Sequence, residues 1–218
     1  MHKECLPLKG WAVLGSLKET VSDYQAVLAG GTALALHIGH RVSVDLNFFT
    51  EKDVKVDPLI KKIKTAGMVF QVTSEGEGYL VAEIDGVKFS LIHYEYPFTA
   101  PVLYKGILIA SILDIAGMKA VALSQRGTKR DFVDMYFVLQ GIPFHKIAEH
   151  MVKRFGKERT NPVHIGKSFT YFADAESNYD PEYIGKKVSW EAVKTFFRKH
   201  AKQFTLDLDV AVTNGPAN

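Results

Sequence analysis

The hydrophobic positions of this chain change their spacing near the middle of the sequence. In the first half they form short runs, several of them alternating with polar residues, which is the pattern of β-strands. Two stretches with apolar residues at helical spacing, 32–40 and 59–66, interrupt these runs. The pattern therefore predicts a sheet with accompanying helices, with strands at 24–29, 42–49, 68–73, 79–84, 87–94 and 107–110.

Two local signals sharpen this prediction. Asp85 and Gly86 lie between two apolar runs, and this dipeptide is a strong signal for a two-residue hairpin turn. Pro58 follows Asp57 where the second helical stretch begins, and Gly67 follows its end, as expected for helix boundaries. The hairpin implies that the two strands beside it run antiparallel.

After Ser111 the pattern changes to helical spacing. It predicts helices from Ser111, over 128–139, from Pro143 and over 189–204. We therefore expect an α+β protein with a mixed-sheet lobe over 1–110, a helical lobe over 111–212, a cleft between them and a frayed tail over 213–218. The apolar face of the last predicted helix consists of Trp190, Val193, Phe197 and Ala201.

Composition places the chain among ordinary globular proteins. It has 218 residues, 47% of them hydrophobic and 23% charged, and its net charge of +3 gives no strong attraction for polyanions as a whole. Cys5 is the single cysteine, so no internal disulfide forms. The sequence shows no signal peptide and no apolar stretch that approaches 18 residues, so we expect a cytoplasmic protein without a membrane span.

The richest chemistry lies between residues 30 and 49. Gly30 and Gly31 allow a sharp turn at the start of a helix, where main-chain N–H groups can face a phosphate. Thr32 adds a hydroxyl. Asp45 and Asn47 are two residues apart, so in a strand they share one face, and Ser43 precedes them on it. A phosphate site beside two oxygen ligands is the arrangement that a magnesium nucleotide requires.

The second half supplies charged candidates. Lys119 and Arg126 share one helix face, and two cations on one face suit a triphosphate. Arg130 and the neighbouring pair Asp131 and Asp134 follow on the next helix. Either carboxylate could act as a base or position an acceptor. The plainer alternatives are a solvated helix face for the two cations and a salt bridge between helices for the aspartates.

These stretches resemble a known family. G-G-T-A-L-A-L-H-I-G-H-R-V-S-V-D-L-N-F-F at 30–49 resembles the signature of the DNA polymerase β superfamily of nucleotidyltransferases, which pairs a glycine turn with Asp-x-Asp or Asp-x-Glu. D-I-A-G-M-K-A-V-A-L-S-Q-R-G-T-K-R-D-F-V-D-M-Y-F-V-L at 114–139, Y-F-A-D-A-E at 171–176 and W-E-A-V-K at 190–194 are similar to the AbiEii/AbiGii toxin family. The similarity in order and spacing covers about residues 24–200.

The resemblance implies a nucleotidyltransferase-like fold and a toxin of an abortive-infection or toxin–antitoxin pair, with an antitoxin encoded nearby. The implied reaction transfers a nucleotide from an NTP, with Mg²⁺ or Mn²⁺, to a hydroxyl of tRNA or of a protein. Lys119 and Asp131 best match the family's functional lysine and aspartate. Gly30, Gly31, Thr32, Lys119 and Arg126 would then bind the nucleotide. The metal would be held by Asp45 and Asn47, and the catalytic residues would be Asp45, Lys119 and Asp131, with Ser43, Arg130 and Asp134 as accessory residues.

One departure from the superfamily pattern leaves a second function open. Asn47 is neutral where the signature has a carboxylate, and the later strand offers only Ser90 and His93 within it, with Asp85 and Glu95 near its ends. No clear third carboxylate is present. The alternative is therefore a catalytically impaired protein that binds a nucleotide or a partner on the same fold.

Overall fold

The computed structural model describes residues 1–215. Contacts group the chain into two compact units, Met1–Ser111 and the part that begins at Ile112. The first unit contains the sheet and the second contains helices, and each is described by itself below.

The first unit is built on one seven-stranded mixed sheet, with strand order β3-β4-β5-β2-β1-β7-β6. The β1–β7 and β2–β5 pairs are parallel and the other neighbours are antiparallel. The predicted mixed-sheet fold class is confirmed. The strands are β1 Val27–Ala29, β2 Leu46–Thr50, β3 Phe70–Gly76, β4 Tyr79–Ile84, β5 Val87–His93, β6 Val102–Tyr104 and β7 Ile107–Ile109.

Three α-helices accompany this sheet, α1 Leu8–Asp23, α2 Gly30–Ile38 and α3 Val56–Thr65. The sequence patterns did not predict α1, although Val13, Leu14, Leu17 and Val21 are buried at helical spacing. The α2 helix ends at Gly39, whose φ of 71° is in the left-handed region that glycine adopts without strain. Burial lowers the pKa of His37 near this end, and its Nε2 lies 2.8 Å from the Ala110 carbonyl oxygen.

Turns decide where the strands begin. Asp85 and Gly86 both have positive φ, which confirms the hairpin between β4 and β5. Lys105 and Gly106 also have positive φ and join β6 to β7, a hairpin that the patterns did not predict. The β1 strand begins later than expected because Gln25, with φ of 50°, still belongs to the turn after α1.

The β2 strand is also shorter than predicted. It begins at Leu46, and residues 42–45 lie outside the ladder. Leu46 and Phe48 are fully buried as the alternation requires, whereas Val44, expected on the same side, is 47% exposed. The alternating pattern was therefore wrong for the four residues before Leu46.

The second unit consists of helices around an aromatic core. Phe169 and Phe197 stack with ring centroids 5.8 Å apart, and Phe132 contacts Phe197 edge-on at 5.2 Å. All three side chains are fully buried. The helices are α4 Ile112–Arg126, α5 Lys129–Val138, α6 Phe144–Phe155, α7 Pro162–Ser168, α8 Ala173–Glu176 and α9 Trp190–Asn214.

The α9 helix is longer than the predicted 189–204. Val193 and Phe197 are buried as expected, and Trp190 and Ala201 are half-buried. Thr213 and Asn214 still belong to the helix, so the part of the expected frayed tail at these two residues is wrong. Residues 216–218 of that tail lie outside the described residues. Within residues 1–215, none of the helices has both the length and the apolar composition that crossing a bilayer requires.

The only cysteine provides a test of the packing around the N-terminus. Cys5 is 1% exposed, and burial raises the pKa of its thiol to about 11. We predict that a disulfide reagent at pH 8 leaves the native protein unmodified and labels one thiol per chain in denaturant, because the reactive thiolate is suppressed in the fold. Since the folded pKa is raised, this thiol stabilises the fold below its ordinary pKa and less as pH rises. Rapid labelling without denaturant would contradict the burial.

Candidate functional site

The glycine turn lies where β1 passes directly into α2. Gly30 has φ of 72°, a conformation that a residue with a Cβ adopts only under strain. The residue before it, Ala29, is the N-cap of α2 and has no side chain that can cap the helix. Main-chain N–H groups of the first turn have no partner within a helix, so they can bind an anion.

Thr32 uses its hydroxyl inside the protein. The residue is 1% exposed, and its Oγ1 lies 2.5 Å from the Asp45 carbonyl oxygen and 2.9 Å from Ser43 Oγ. A hydroxyl has one proton to donate. The Thr32 hydroxyl donates it to the Asp45 carbonyl oxygen, and the Ser43 hydroxyl is the second hydrogen-bond partner of Thr32 Oγ1. Thr32 and Ser43 thus fasten the segment before β2 to the first turn of α2. A phosphate contact from Thr32 stays a prediction, and its main-chain N–H is the group that would make it, because the hydroxyl is engaged.

Asn47 lies at the centre of the sheet beside the glycine turn. It pairs with Ala29 of β1 on one side and with Ser90 of β5 on the other. Its Oδ1 accepts a 2.8 Å hydrogen bond from the Ser90 hydroxyl, and a Cβ on Gly30 would lie 3.5 Å from its Nδ2. The structure therefore brings Asn47 next to the glycine turn, as the sequence analysis expected.

The alternating pattern suggested that a strand positions Asp45, but a hydrogen bond to its main chain does so instead. It is half-buried and lies one residue before β2, so the register of the sheet does not fix its side chain. The Thr32 hydrogen bond to its carbonyl oxygen fixes its main chain instead. The two-residue spacing therefore explains the face of Asn47 alone.

The donor set around Asp45 and Asn47 suits a weakly held magnesium ion. The described residues contain no group of three or more His, Cys, Asp or Glu side chains arranged to hold a metal. An amide oxygen has two lone pairs, so Asn47 Oδ1 can accept from Ser90 and still coordinate an ion. Magnesium commonly takes one or two protein carboxylates and completes its shell with water and substrate phosphates. These residues fit that pattern.

Arg41 lies against the glycine turn. Its side chain is buried, with the residue 3% exposed, and Nη1 donates a 3.1 Å hydrogen bond to the Val42 carbonyl. A Cβ on Gly31 would collide with its Nη2 and would approach Ser43 Oγ to 3.3 Å. A side chain at Gly31 would therefore require the Arg41 guanidinium to shift, whereas Gly30 is a glycine because of its φ.

The charged candidates of the second unit form a buried ion cluster. Lys119 Nζ of α4 lies 2.7 Å from Asp131 Oδ1 and 2.7 Å from Asp134 Oδ2, both on α5. The Lys119 and Asp131 side chains are 10% and 15% exposed, and that of Asp134 is completely buried. The contact between helices considered in the sequence analysis is therefore present. Lys119 is neutralised by two carboxylates.

Asp131 also caps the helix that carries it. Its Oδ2 accepts hydrogen bonds from the Thr128 hydroxyl at 2.7 Å and the Thr128 main-chain N–H at 3.2 Å, while Thr128 Oγ1 accepts from the Asp131 N–H. This reciprocal capping box begins α5. Both carboxylate oxygens are thus held in fixed directions, one by Lys119 and one by Thr128.

The two arginines predicted for this region lie elsewhere on its helices. Arg126, in the last turn of α4, and Arg130, in the first turn of α5, are both exposed. The structure therefore groups Lys119, Asp131 and Asp134 and leaves both arginines outside that cluster. Gly31 and Asp45 belong to the first unit, and the expectation that they meet Lys119 and Asp131 around one substrate stays a prediction.

A second buried acid in this unit was not recognised from sequence. Asp114, in the first turn of α4, is fully buried, and its Oδ1 lies 2.8 Å from His150 Nε2 and 3.4 Å from Arg154 Nε of α6. Arg154 is buried, so it belongs to the interior of this unit rather than to its basic surface. The i, i+4 spacing of His150 and Arg154 was the signal that both face one neighbour.

The two short C-terminal motifs are partners of one another. Glu176, which ends Y-F-A-D-A-E, accepts hydrogen bonds from Trp190 Nε1 at 3.0 Å and Lys194 Nζ at 2.8 Å, the first and last residues of W-E-A-V-K. The bonds from Lys194 and Trp190 lower the pKa of Glu176, and Glu176 with Glu191 raises the pKa of Lys194. This cluster ties α8 to α9 and explains the two motifs as structural.

Comparison with known proteins assigns the class. Residues 12–100 match the family of the nucleotidyl transferase AbiEii toxin of type IV toxin–antitoxin systems. An uncharacterized protein of Aquifex aeolicus (strain VF5) is 36% identical over 186 residues, which cover 81% of this chain and 86% of that protein. The chain belongs to the AbiEii family of nucleotidyltransferase toxins. The family implies an enzyme that uses an NTP and a cognate antitoxin.

Two solved structures show the same fold. JHP933 from Helicobacter pylori superimposes with a TM-score of 0.58 at 17% identity, covering 94% of this chain and 95% of that one. MenT4, a nucleotidyltransferase toxin from Mycobacterium tuberculosis H37Rv, gives 0.57 at 16% identity, with 94% and 91% covered. The fold extends over nearly the whole length of all three chains.

The Glu176 cluster yields a pH-dependent prediction. Because the folded pKa of Glu176 is lowered, its carboxylate stabilises the fold above its ordinary pKa, and this contribution is lost as pH falls through the lowered value. We expect Glu176→Gln to lower the Tm at pH 7 and to approach the wild-type Tm in acid. Calorimetry between pH 3 and 8 measures this, with exposed Glu158→Gln as the control. An equal Tm for wild type and Glu176→Gln at pH 7 would refute the role.

Proposed function

We propose that this protein transfers a nucleotide from an NTP, with a divalent ion, to a hydroxyl of RNA, acting as the toxin of a toxin–antitoxin pair. The observation that carries the proposal is the bond from the buried Thr32 hydroxyl to the Asp45 carbonyl. It fastens a carboxylate-bearing segment to a glycine turn at a helix N-terminus. The N–H groups that would bind a phosphate and the residue that would hold the metal are thereby kept together before any substrate binds.

The glycine turn would bind the triphosphate through the main-chain N–H groups of Gly30, Gly31 and Thr32. Asp45 and Asn47 would hold the divalent ion, which supplies neutralisation of the negative charge that develops on the phosphates. Asn47 is kept in place by Ser90, so its oxygen needs no reorientation when substrate binds.

Asp131 would serve the acceptor. In the proposed step the acceptor oxygen bonds to the α-phosphorus, the bond from that phosphorus to the bridging oxygen breaks, and pyrophosphate leaves. The proton of the acceptor hydroxyl passes to the Asp131 carboxylate. Lys119 and Thr128 orient this carboxylate through their hydrogen bonds, so Lys119 acts on Asp131 rather than on the triphosphate.

Charge favours RNA over protein as the acceptor. The second unit holds sixteen Lys and Arg against twelve Asp and Glu, whereas the first holds eleven against twelve. The second unit therefore carries a net charge of +4 and the first a net charge of −1, so the positive charge that attracts a polyanion is concentrated in the second unit.

The alternative is a nucleotide-binding protein without catalysis. Asn47 and the lack of a third metal-binding carboxylate among the described residues support it. Binding of a magnesium NTP without any transfer would favour this alternative over the enzyme.

Transfer of label tests the proposal. Each of the four α-labelled NTPs is incubated with magnesium and total tRNA, and separately with protein extract lacking RNA. We expect label in tRNA with wild type, and a loss of about a hundredfold or more for each of two variants. Asp45→Ala removes a ligand of the ion that stabilises charge, and Asp131→Asn removes the proton acceptor. Asp53→Ala, at an exposed position of the first unit, is the control. Label in protein alone would replace the RNA acceptor, and undiminished transfer by Asp45→Ala would overturn the site.

Asn47→Asp tests the metal assignment in the opposite direction. The substitution adds a second carboxylate beside the glycine turn and keeps an oxygen that accepts from Ser90. We expect tighter magnesium-NTP binding by calorimetry and faster transfer. The gain should vanish when Asp45→Ala is combined with it. Unchanged magnesium affinity would show that position 47 does not contact the ion.

A further inference from the structure

A cavity in the second unit lies outside the residues assigned to the reaction. It has a volume of about 360 Å³ and lies where the end of α4 meets α7 and the segment that leads into α8. Its lining includes Leu123, which is buried, and four exposed residues, Gln125, Lys167, Tyr171 and Asp174. Cavities of about 300–1,000 Å³ that combine apolar surface with a few polar groups are typical binding sites for small ligands.

Tyr171 lines this cavity with a ring that is not packed into the core. The residue is 58% exposed, whereas the next residue, Phe172, is 7% exposed and contacts Phe132 with ring centroids 5.0 Å apart. The main chain of Tyr171 is fixed by a 3.1 Å hydrogen bond from its N–H to the Ser168 carbonyl oxygen. A ring held beside a cavity in this way is suited to stack against a flat group such as a nucleobase.

The polar side chains of the cavity match the rest of a nucleotide. Within residues 1–215, neither Lys167 nor Gln125 uses its side chain in a hydrogen bond or an ion pair. An ammonium group binds a phosphate as a point charge, and an amide both donates and accepts, as the edge of a base requires. Asp174 adds acceptors for the amino group of a base. The cavity thus offers a partner for each part of one unpaired nucleotide.

The position of the cavity on α4 connects it with the proposed acceptor site. Leu123 follows Lys119 by one helical turn, so the two share a helix face and lie about 6 Å apart along the helix axis. Lys119 holds Asp131, the proposed proton acceptor. Nucleotides of one strand are spaced about 3.4 Å apart when stacked, so this separation corresponds to about two nucleotides. A strand whose hydroxyl lies at Asp131 can therefore place a neighbouring base in the cavity.

We infer that this cavity binds an unpaired base of the acceptor RNA, with the Tyr171 ring against the face of the base and Lys167 on a backbone phosphate. The inference rests on the proposed transfer to RNA and deepens it. A base can stack on a side chain only where it is released from a duplex, so the cavity recognises single-stranded RNA. The net positive charge of the second unit supports a polyanion as the ligand.

Binding of a fluorescein-labelled oligouridylate tests the inference without any transfer reaction. We expect Tyr171→Ala to weaken binding about tenfold or more, the effect of losing one stacked base, and Tyr171→Phe to bind like wild type. Lys167→Ala should weaken binding and reduce its salt dependence, because a phosphate contact is lost. Tyr179→Ala is the matched control, since Tyr179 is 90% exposed and lies outside the cavity.

Cross-linking and kinetics locate the contact. An oligonucleotide that carries 5-iodouridine should cross-link to Tyr171 on irradiation, as identified by mass spectrometry of the peptide. With tRNA as acceptor, Tyr171→Ala should raise the KM for tRNA and leave the KM for the NTP and the Tm unchanged.

The outcomes separate the inference from the proposed function. Wild-type oligouridylate affinity in Tyr171→Ala, or no oligouridylate binding by wild type, would overturn the inference and leave transfer to RNA standing. A raised KM for the NTP in place of that for tRNA would also overturn it, because the cavity would then hold the base of the NTP. Transfer of label by wild type to protein alone, or to no acceptor, would instead overturn the proposed function.

Discussion

The buried hydroxyl of Thr32 connects the parts on which the first unit's chemistry depends. The glycine turn belongs to the β1–α2 connection, and Asp45 belongs to a segment outside the sheet that the ladder does not hold. The Thr32 bond to the Asp45 carbonyl holds that segment, and a hydrogen bond of this kind contributes about 0.5–1.5 kcal/mol. The bond makes the position of Asp45 a property of the fold rather than of the bound substrate.

Arg41 and Ser43 extend the same arrangement. Both belong to the segment between α2 and β2, and both lie against Gly31. The segment is therefore packed against the helix start over several residues, with a hydroxyl pair and a guanidinium instead of apolar side chains. Polar contacts of this kind are strong only where water is excluded, and Thr32, Arg41 and Ser43 are all buried.

In the second unit, ion pairs join helices, and the unit as a whole is basic. The Lys119, Lys194 and Asp114 clusters each join two helices. The second unit holds sixteen Lys and Arg against twelve Asp and Glu, and the first holds eleven against twelve, so the overall net charge of +3 understates the positive charge of the second unit.

The sequence by itself determined the strand and helix types over most of the chain, the α+β class and the family. The hairpin at Asp85 and Gly86, the helix end at Gly39 and the motifs at 30–49 and 114–139 are local signals, since turns and caps depend on neighbouring residues. Asn47 could be identified as a site residue for the same reason, because the face of its side chain follows from alternation within a strand.

Only the tertiary structure decided which of these residues are already paired. Nothing in the spacing shows that Lys119 is held by Asp131 and Asp134, that Glu176 receives Trp190 and Lys194, or that Arg41 packs on Gly31. Such partners are brought together by the folding of separate elements, so no local pattern encodes them. The α1 helix and the early part of the predicted β2 strand show the same limit, because burial depends on what the rest of the chain places against them.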